Sequence, residues 1–426
     1  MLLLLLHTPD GSAGTKTRVD TCEVLAFSPD EAHDHTWFCA AMLKNEVGQP
    51  TGGASVQVSQ TSGRTWRTLT VTGLQGLRNT MLTQLVVSPH YASDHTLFLQ
   101  TLGNGLYESV DGGSTWVIAD ALATSSEGIH TISAFTQTLA SGLPSTTMLA
   151  FADTAAPALI VPPAVHAPVA GVPNETLIAF FLPPTFPASE GFAGAFSTAD
   201  YAPQLFSCNA VLACKKPLFK FPAHTALQSV YFAGGYPGRH ILFAKTASSA
   251  TSTRGALVQL WRSVDDGKTF APWTAAQRLL PASKYAYSDA VGIATNPHQP
   301  HVVYLNVDYK PAVKPGPRGE VDAPSPPFPP TSQIFRSSDD GNHWIRVSYG
   351  TASNSTNRPP RGNIPWLGSD TANEPAAIFL TDTGKLALSA NQIVYDAKTG
   401  NGTFYSSVPY CSTDSGRTWR RLTCAS

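Results

Sequence analysis

The chain has 426 residues, with 42% hydrophobic and only 13% charged residues, 34 Pro and 33 Gly. That composition excludes a disordered chain and a helical bundle, and predicts many short strands joined by turns. A formal net charge of -1 removes any general electrostatic attraction to nucleic acid or to an anionic membrane, so neither is expected as a partner.

The first element in chain order is MLLLLLHTPDG, whose apolar run is too short to span a bilayer, so no membrane span is expected. Residues 1–17 read as a segment apart: a remnant of a secretion signal, a mis-called start, or an extra outer strand on the first repeat unit. Residues 18–426 read as one array of repeat units. A strand, a Pro turn and a second strand occur at FSPDEAHDHTWFCA from Phe27 and at VSPHYASDHTLFLQT from Val87, with TNPHQPHVVYLNV from Thr295 as a looser relative. Second-strand signals begin at Thr36, Thr96, Thr147, Thr176, His240, Val302 and Lys385. They predict seven units, and the short interval from Thr147 to Thr176 leaves six as the alternative.

Between these signals an eight-residue pattern, S-x-D-x-G-x-T-W, recurs at SQTSGRTW from Ser59, SVDGGSTW from Ser109, SVDDGKTF from Ser263, SSDDGNHW from Ser337 and STDSGRTW from Ser412. Recurrence at intervals of several tens of residues signals units that cannot bury their apolar faces alone. Each copy reads as a tight turn between two strands. Asp111, Asp265, Asp339 and Asp414 accept backbone N–H groups further along the turn. Gly113, Gly267, Gly341 and Gly416 supply a positive φ, and Trp66, Trp116, Phe270, Trp344 and Trp419 pack between sheets. Thr61 replaces the Asp in the first copy, and His343 replaces the Thr in the fourth.

These copies resemble the Asp-box, or bacterial neuraminidase repeat, of the sialidase-like, Vps10-like and photosystem II assembly factor-like superfamily. The resemblance implies an all-β fold: a single β-propeller of four-stranded antiparallel blades, seven or alternatively six. It also implies that the boxes are structural turns lying away from the ligand. In that topology, loops joining strands two to three, and one blade to the next, gather at the other end.

The longest segments assigned to that end are Leu182 to Pro203, Asp308 to Thr331 and Tyr349 to Glu374. Arg358, Arg361, Trp366 and Asp370, with Tyr309, combine bidentate donors, aromatic platforms and a carboxylate, a set suited to a protein or glycan ligand. The sialidase analogy offers exo-acting glycoside hydrolysis as the alternative to binding. The R-I-P element of sialidases is absent from the sequence, and no catalytic residue is assigned. His33, His35, His90 and His95 belong to Pro turns in different blades and are not expected to converge, so no metal is assigned, and no cofactor. A monomer is expected.

Six cysteines suggest three local pairs, Cys22–Cys39, Cys208–Cys214 and Cys411–Cys424, which suit an extracellular or cell-surface protein. Six buried thiols are the alternative.

Overall fold

The computed structural model describes residues 22–44, 50–77, 82–101, 104–120, 129–138, 144–152, 158–161, 165–168, 175–183, 185–186, 188–197, 200–209, 212–248, 258–280, 286–287, 291–296, 299–311, 331–351, 364–365, 378–380, 386–395, 402–412 and 420–421. Backbone pairing assembles them into seven sheets, six of four strands and one of six. In chain order, sheet one comprises Val24–Phe27, Trp37–Lys44, Pro50–Ser59 and Arg67–Thr68, and sheet two Leu82–Val87, Leu97–Thr101, Gly105–Ser109 and Val117–Asp120. Sheet three runs from Ile129–Thr138 to Val165–Pro168. Sheet four comprises Glu175–Phe181, Gly191–Ser197, Pro203–Cys208 and Cys214–Lys220, and sheet five Thr225–Phe232, Leu242–Ser248, Val258–Ser263 and Ala271–Pro272. Sheet six is built on Val291–Asn296, Gln299–Pro311, Thr331–Ser337 and Ile345–Thr351, and sheet seven runs from Ile378–Leu380 to Arg420–Arg421.

The fold is an all-β propeller of antiparallel blades, but the expected blade number of seven, or six, is corrected. Among the described residues five blades have packed faces: sheets one, two, four, five and six, and each blade keeps the number of its sheet. Strand pairing makes a sheet, whereas a blade also requires its faces to be covered by its neighbours. For sheets three and seven the pairing alone is described. Sheet six also departs from four strands, because Ala286–Tyr287 pairs with Lys310 and Pro311, and Ile364–Pro365 pairs in parallel with Gly350 and Thr351. TLIAFF, read as a second strand, is instead the inner strand of sheet four, which is why Thr176 follows Thr147 so closely.

Apolar residues from adjacent blades merge into shared cores. Val56, Val58 and Leu69 of blade one pack with Leu97, Leu99, Tyr107 and Trp116 of blade two. Phe192, Leu205 and Phe221 of sheet four pack with Leu242, Trp261 and Phe270 of sheet five. Phe243, Leu260 and Trp273 of sheet five pack with Val303, Leu305 and Phe335 of sheet six.

The eight-residue turns have the predicted chemistry. Asp111 Oδ1 accepts the N–H groups of Ser114 and Thr115 at 3.0 and 2.8 Å. Gly113 has φ 96°. The serine adds a bond that the sequence pattern did not assign: Ser109 Oγ donates to Asp111 and accepts the Gly113 N–H at 2.9 Å. Ser263 and Ser337 repeat this at Gly267 and Gly341, at 2.9 and 2.8 Å. Where Asp is absent, Thr61 Oγ1 accepts the Thr65 N–H at 2.9 Å. His343, in the place of Thr, pairs its Nδ1 with Asp339. In the fifth copy Ser412 is buried, and Asp414, Gly416 and Trp419 lie outside the described residues.

Some of these turns are also the seat of the preceding blade. Thr72 of blade one donates to Ser114 O and accepts the Trp116 N–H, both at 2.9 Å. A Cβ on Gly73, whose φ is +89°, would stand 1.8 Å from Trp116 O. Trp273 of blade five donates its Nε1 to Gly341 O in blade six at 2.9 Å. Trp116 donates to Gly113 O at 2.8 Å in its own turn, whereas Gly341 O accepts from Trp273 of the neighbouring blade and Trp344 Nε1 is buried with no partner.

Gly73→Ala is expected to cost about 3 kcal/mol or more, because strain at positive φ adds to a backbone clash. Gly76→Ala, at φ +90° with nothing within 4 Å, should cost only about 1 kcal/mol; equal denaturant midpoints for the two variants would refute the seat. Likewise Trp116→Phe should lose about 1 kcal/mol of hydrogen bonding beyond its lost area, and Trp344→Phe little, as read by chemical denaturation.

Candidate functional site

Antiparallel pairing sends the connections between strands one and two, and between three and four, to one end of each blade. All described eight-residue turns are there, and this is the turn end. The remaining connections leave from the opposite, loop end.

The turn end is closed upon itself. In four blades a histidine near the start of the second strand offers its carbonyl to the fourth residue of the eight-residue turn: His35 to Ser62 at 2.9 Å, His95 to Gly112 at 3.0 Å, and His240 to Asp266 and His301 to Asp340 at 3.1 Å. His35, His95 and His240 adopt φ of 52°, 51° and 57°, the left-handed conformation that ends the preceding turn. Around them Ser28 and Ser88 donate to Asp34 and Asp94, which accept the Thr36 and Thr96 N–H groups at 2.8 and 2.9 Å. Buried Glu31 accepts from Trp37 Nε1 at 3.1 Å and from Ser62 Oγ at 2.8 Å. A Cβ on Gly112, whose φ is +72°, would stand 3.1 Å from the Tyr91 hydroxyl. Burial, with help from Asp34 and Asp94, pushes that phenol up to about 12. His33, His35, His90 and His95 therefore belong to turn architecture, and among the described residues no group of His, Cys, Asp or Glu has metal-ligand geometry.

A second set of titratable side chains surrounds residues 233–241, the connection between strands one and two of blade five. Tyr236 reaches back to Phe192 of sheet four. Burial, then Asp266, raises its phenol. His240 Nδ1 pairs with Asp266 at 2.8 Å. Arg239 reaches forward to Asp340 in blade six, with Nη1 to Oδ1 at 2.7 Å and a second bond from Nη2, and it also donates to Pro300 O. His301 Nδ1 approaches Asp340 Oδ2 at 3.2 Å. Burial opposes ionisation of Asp340, but the bonds from Arg239 and His301 outweigh it and hold the carboxyl below its usual range. Asp339 is likewise pulled down to about 2: its bonds from His343 and Ser337 overcome desolvation. Each of these charges is committed to another part of the same chain.

The loop end differs. Of the predicted ligand residues, Tyr309 lies on the long second strand of sheet six, with its side chain outside the described residues, as are Arg358, Arg361, Trp366 and Asp370 altogether. The strands flanking 312–330, and the strand Ile345–Thr351 that precedes the second stretch, place the departures of both at the loop end. Leu182 to Pro203 is corrected: 182–190 joins strands one and two of sheet four and lies at the turn end, and only 198–202 is at the loop end. That short connection carries residues that the sequence pattern did not single out. Tyr201 is 68% exposed at φ 53°, beside an Asp200–Lys220 ion pair, and its carbonyl accepts the His224 N–H at 3.3 Å. Hydrogen bonding to Lys220, then to Ser197, lowers the Asp200 carboxyl. The only signal for this site in the sequence was a tyrosine following an aspartate in a short connection.

No family model and no curated protein matches the sequence. Among solved structures, the chain is similar to a GH74 enzyme from Niastella koreensis, at 14% identity and TM-score 0.44 over 94% of this chain, and spans 65% of that enzyme's length. It is similar to YCF48 from Cyanidioschyzon merolae, at 9% identity and TM-score 0.43 over 94% of both chains. A puromycin hydrolase S511A mutant complexed with PGG aligns at 11% identity and TM-score 0.48, over 95% of this chain and 53% of that one. These neighbours are β-propellers.

Because the Asp340 carboxyl titrates lower in the folded state, its contribution is complete above the unfolded pKa of about 4 and is lost as pH falls through the folded value. Asp340→Asn should cost about 2 kcal/mol near neutral pH, and the gap in melting temperature to the parent should narrow as pH falls below about 4. A gap that widens below about pH 4 would contradict the ion-pair assignment.

Proposed function

We propose that this chain is a binding or scaffold module that receives a protein partner or a glycan at the loop end. The observation that carries this reading is the contrast between the two ends. At the turn end Arg239, Asp340, Asp266 and His240 are paired internally, whereas the long connections depart from the loop end. Connections grouped at one end of a rigid scaffold are where recognition residues are usually placed. Arg358 and Arg361 would grip a carboxylate in bidentate fashion; Trp366 and Tyr309 would stack on a sugar or side chain, and Asp370 would accept a hydroxyl or amine. Tyr201 adds an exposed ring at the same end.

The eight-residue turns would then be Asp-boxes in a purely architectural role. Two disulfides, and the lack among the described residues of a helix long and apolar enough to cross a membrane, are compatible with an extracellular protein.

A glycan array and affinity capture would supply the ligand, after which Arg358, Arg361, Trp366 and Asp370 are replaced together by Ala. The quadruple variant should retain the parent melting temperature and lose binding by at least about a hundredfold, since truncating such anchors commonly costs more than about 2 kcal/mol. Unchanged affinity would refute this placement. Turnover of a fluorogenic sialoside that depends on a Tyr–Glu pair would favour exo-acting hydrolysis instead.

A further inference from the structure

Sheet four has no eight-residue turn, yet its third strand ends in the same register as those that do. The third strands of sheets one, two, five and six end at Ser59, Ser109, Ser263 and Ser337, which stand opposite Trp37, Leu97, Leu242 and Val303 of the second strands. In sheet four the corresponding residue is Cys208, opposite Gly191. All four serines and Cys208 are 1% exposed. Cys208 therefore occupies the place of the turn serine, and its disulfide partner Cys214 faces it across the hairpin, at the start of the outer strand where the turn aromatic otherwise leads in.

The remaining duties of the turn are also reassigned. Asn209 Oδ1 accepts the Ala213 N–H at 2.9 Å, four residues on, as Asp111 and Asp265 accept the N–H groups of Thr115 and Thr269. Leu212 takes the left-handed conformation at φ 56° that glycine holds elsewhere. A leucine is disfavoured there, by roughly 1–2 kcal/mol, so this hairpin lacks both the cheap glycine and the serine hydroxyl that ties the glycine N–H. Both cysteines lie in a local core with Phe180, Phe186, Phe206 and Leu212, on which the connection from strand one to strand two rests through Leu182 and Phe186.

We infer that the Cys208–Cys214 disulfide replaces the eight-residue turn as the closure of blade four, making order at this blade's turn end dependent on oxidation. A dithiol reductant would transfer two electrons and two protons, leaving two protein thiols and an oxidised, disulfide form of the reductant. The hydrogen-bonded turns of blades two, five and six contain no bond that this reaction breaks.

The test is amide hydrogen exchange on three proteins: the parent, a Cys208→Ser/Cys214→Ser variant, and a chimera in which residues 208–214 are replaced by the turn SVDDGKTF of blade five. In the double variant, exchange along 203–208 and 214–220 should accelerate by about tenfold or more, with 258–263 unchanged. The chimera should recover most of the parent's protection without either cysteine. Parent-like exchange in the double variant overturns the inference, as does a chimera no better protected than the double variant. If the double variant fails to fold, the chimera decides: a folded, protected chimera supports replacement, and an unfolded one refutes it. Treating the parent with dithiothreitol should loosen 203–220 before 258–263, reversibly on reoxidation; uniform loosening would refute the dependence.

Discussion

The constraint on which this propeller depends is the seating of one blade on the turn of the next. A four-stranded sheet of this size cannot bury both faces by itself, so its stability is that of its joints. The backbone around Gly113 and Gly341 is where those joints close, by a short parallel bridge from Thr72 in one case and by the Trp273 indole in the other. At Gly341 glycine is required twice over. It takes the positive φ that reverses the chain, and it leaves room for the neighbouring blade, since a Cβ there would lie 2.0 Å from Trp273. The same residue thus makes the hairpin and admits its neighbour.

That double use explains why the turn end is a poor place for recognition. Its histidine carbonyls and turn carboxylates are occupied in closing hairpins within each blade, and the Arg239–Asp340 pair in holding two blades together. Residues 233–241 illustrate this: Tyr236 leans on sheet four, His240 on the turn of its own blade, and Arg239 on blade six. A ligand competing for these groups would loosen three consecutive blades. At the loop end, among the described residues, Tyr201 stands 68% exposed beside the Asp200–Lys220 pair.

Blade four shows that closure can be met by different chemistry. Its disulfide, asparagine and left-handed leucine perform the tasks of serine, aspartate and glycine at the same register. A covalent bond closes this hairpin without the serine hydroxyl, at the cost of dependence on an oxidising environment.

The eight-residue pattern alone determined the turns, their glycine conformation, the carboxylate acceptors and the all-β class, because these depend on bonds within eight consecutive residues. The pair Cys208–Cys214 was legible for the same reason, as its hairpin sets the two opposite each other; Cys22 and Cys39 are also bonded, although Cys39 stands opposite Leu25 in the strand register, and Cys424 lies outside the described residues. Only the tertiary structure decided the number of packed blades, the assignment of TLIAFF to an inner strand, and the transfer of 182–190 to the turn end. Each of these depends on which strand pairs with which, and pairing partners lie outside the span over which side-chain pattern carries information. The predicted ligand residues rest still on sequence, whereas Tyr201 and the bond from the Trp273 indole to Gly341 O came from the packing of separate blades, a relation that no local pattern encodes.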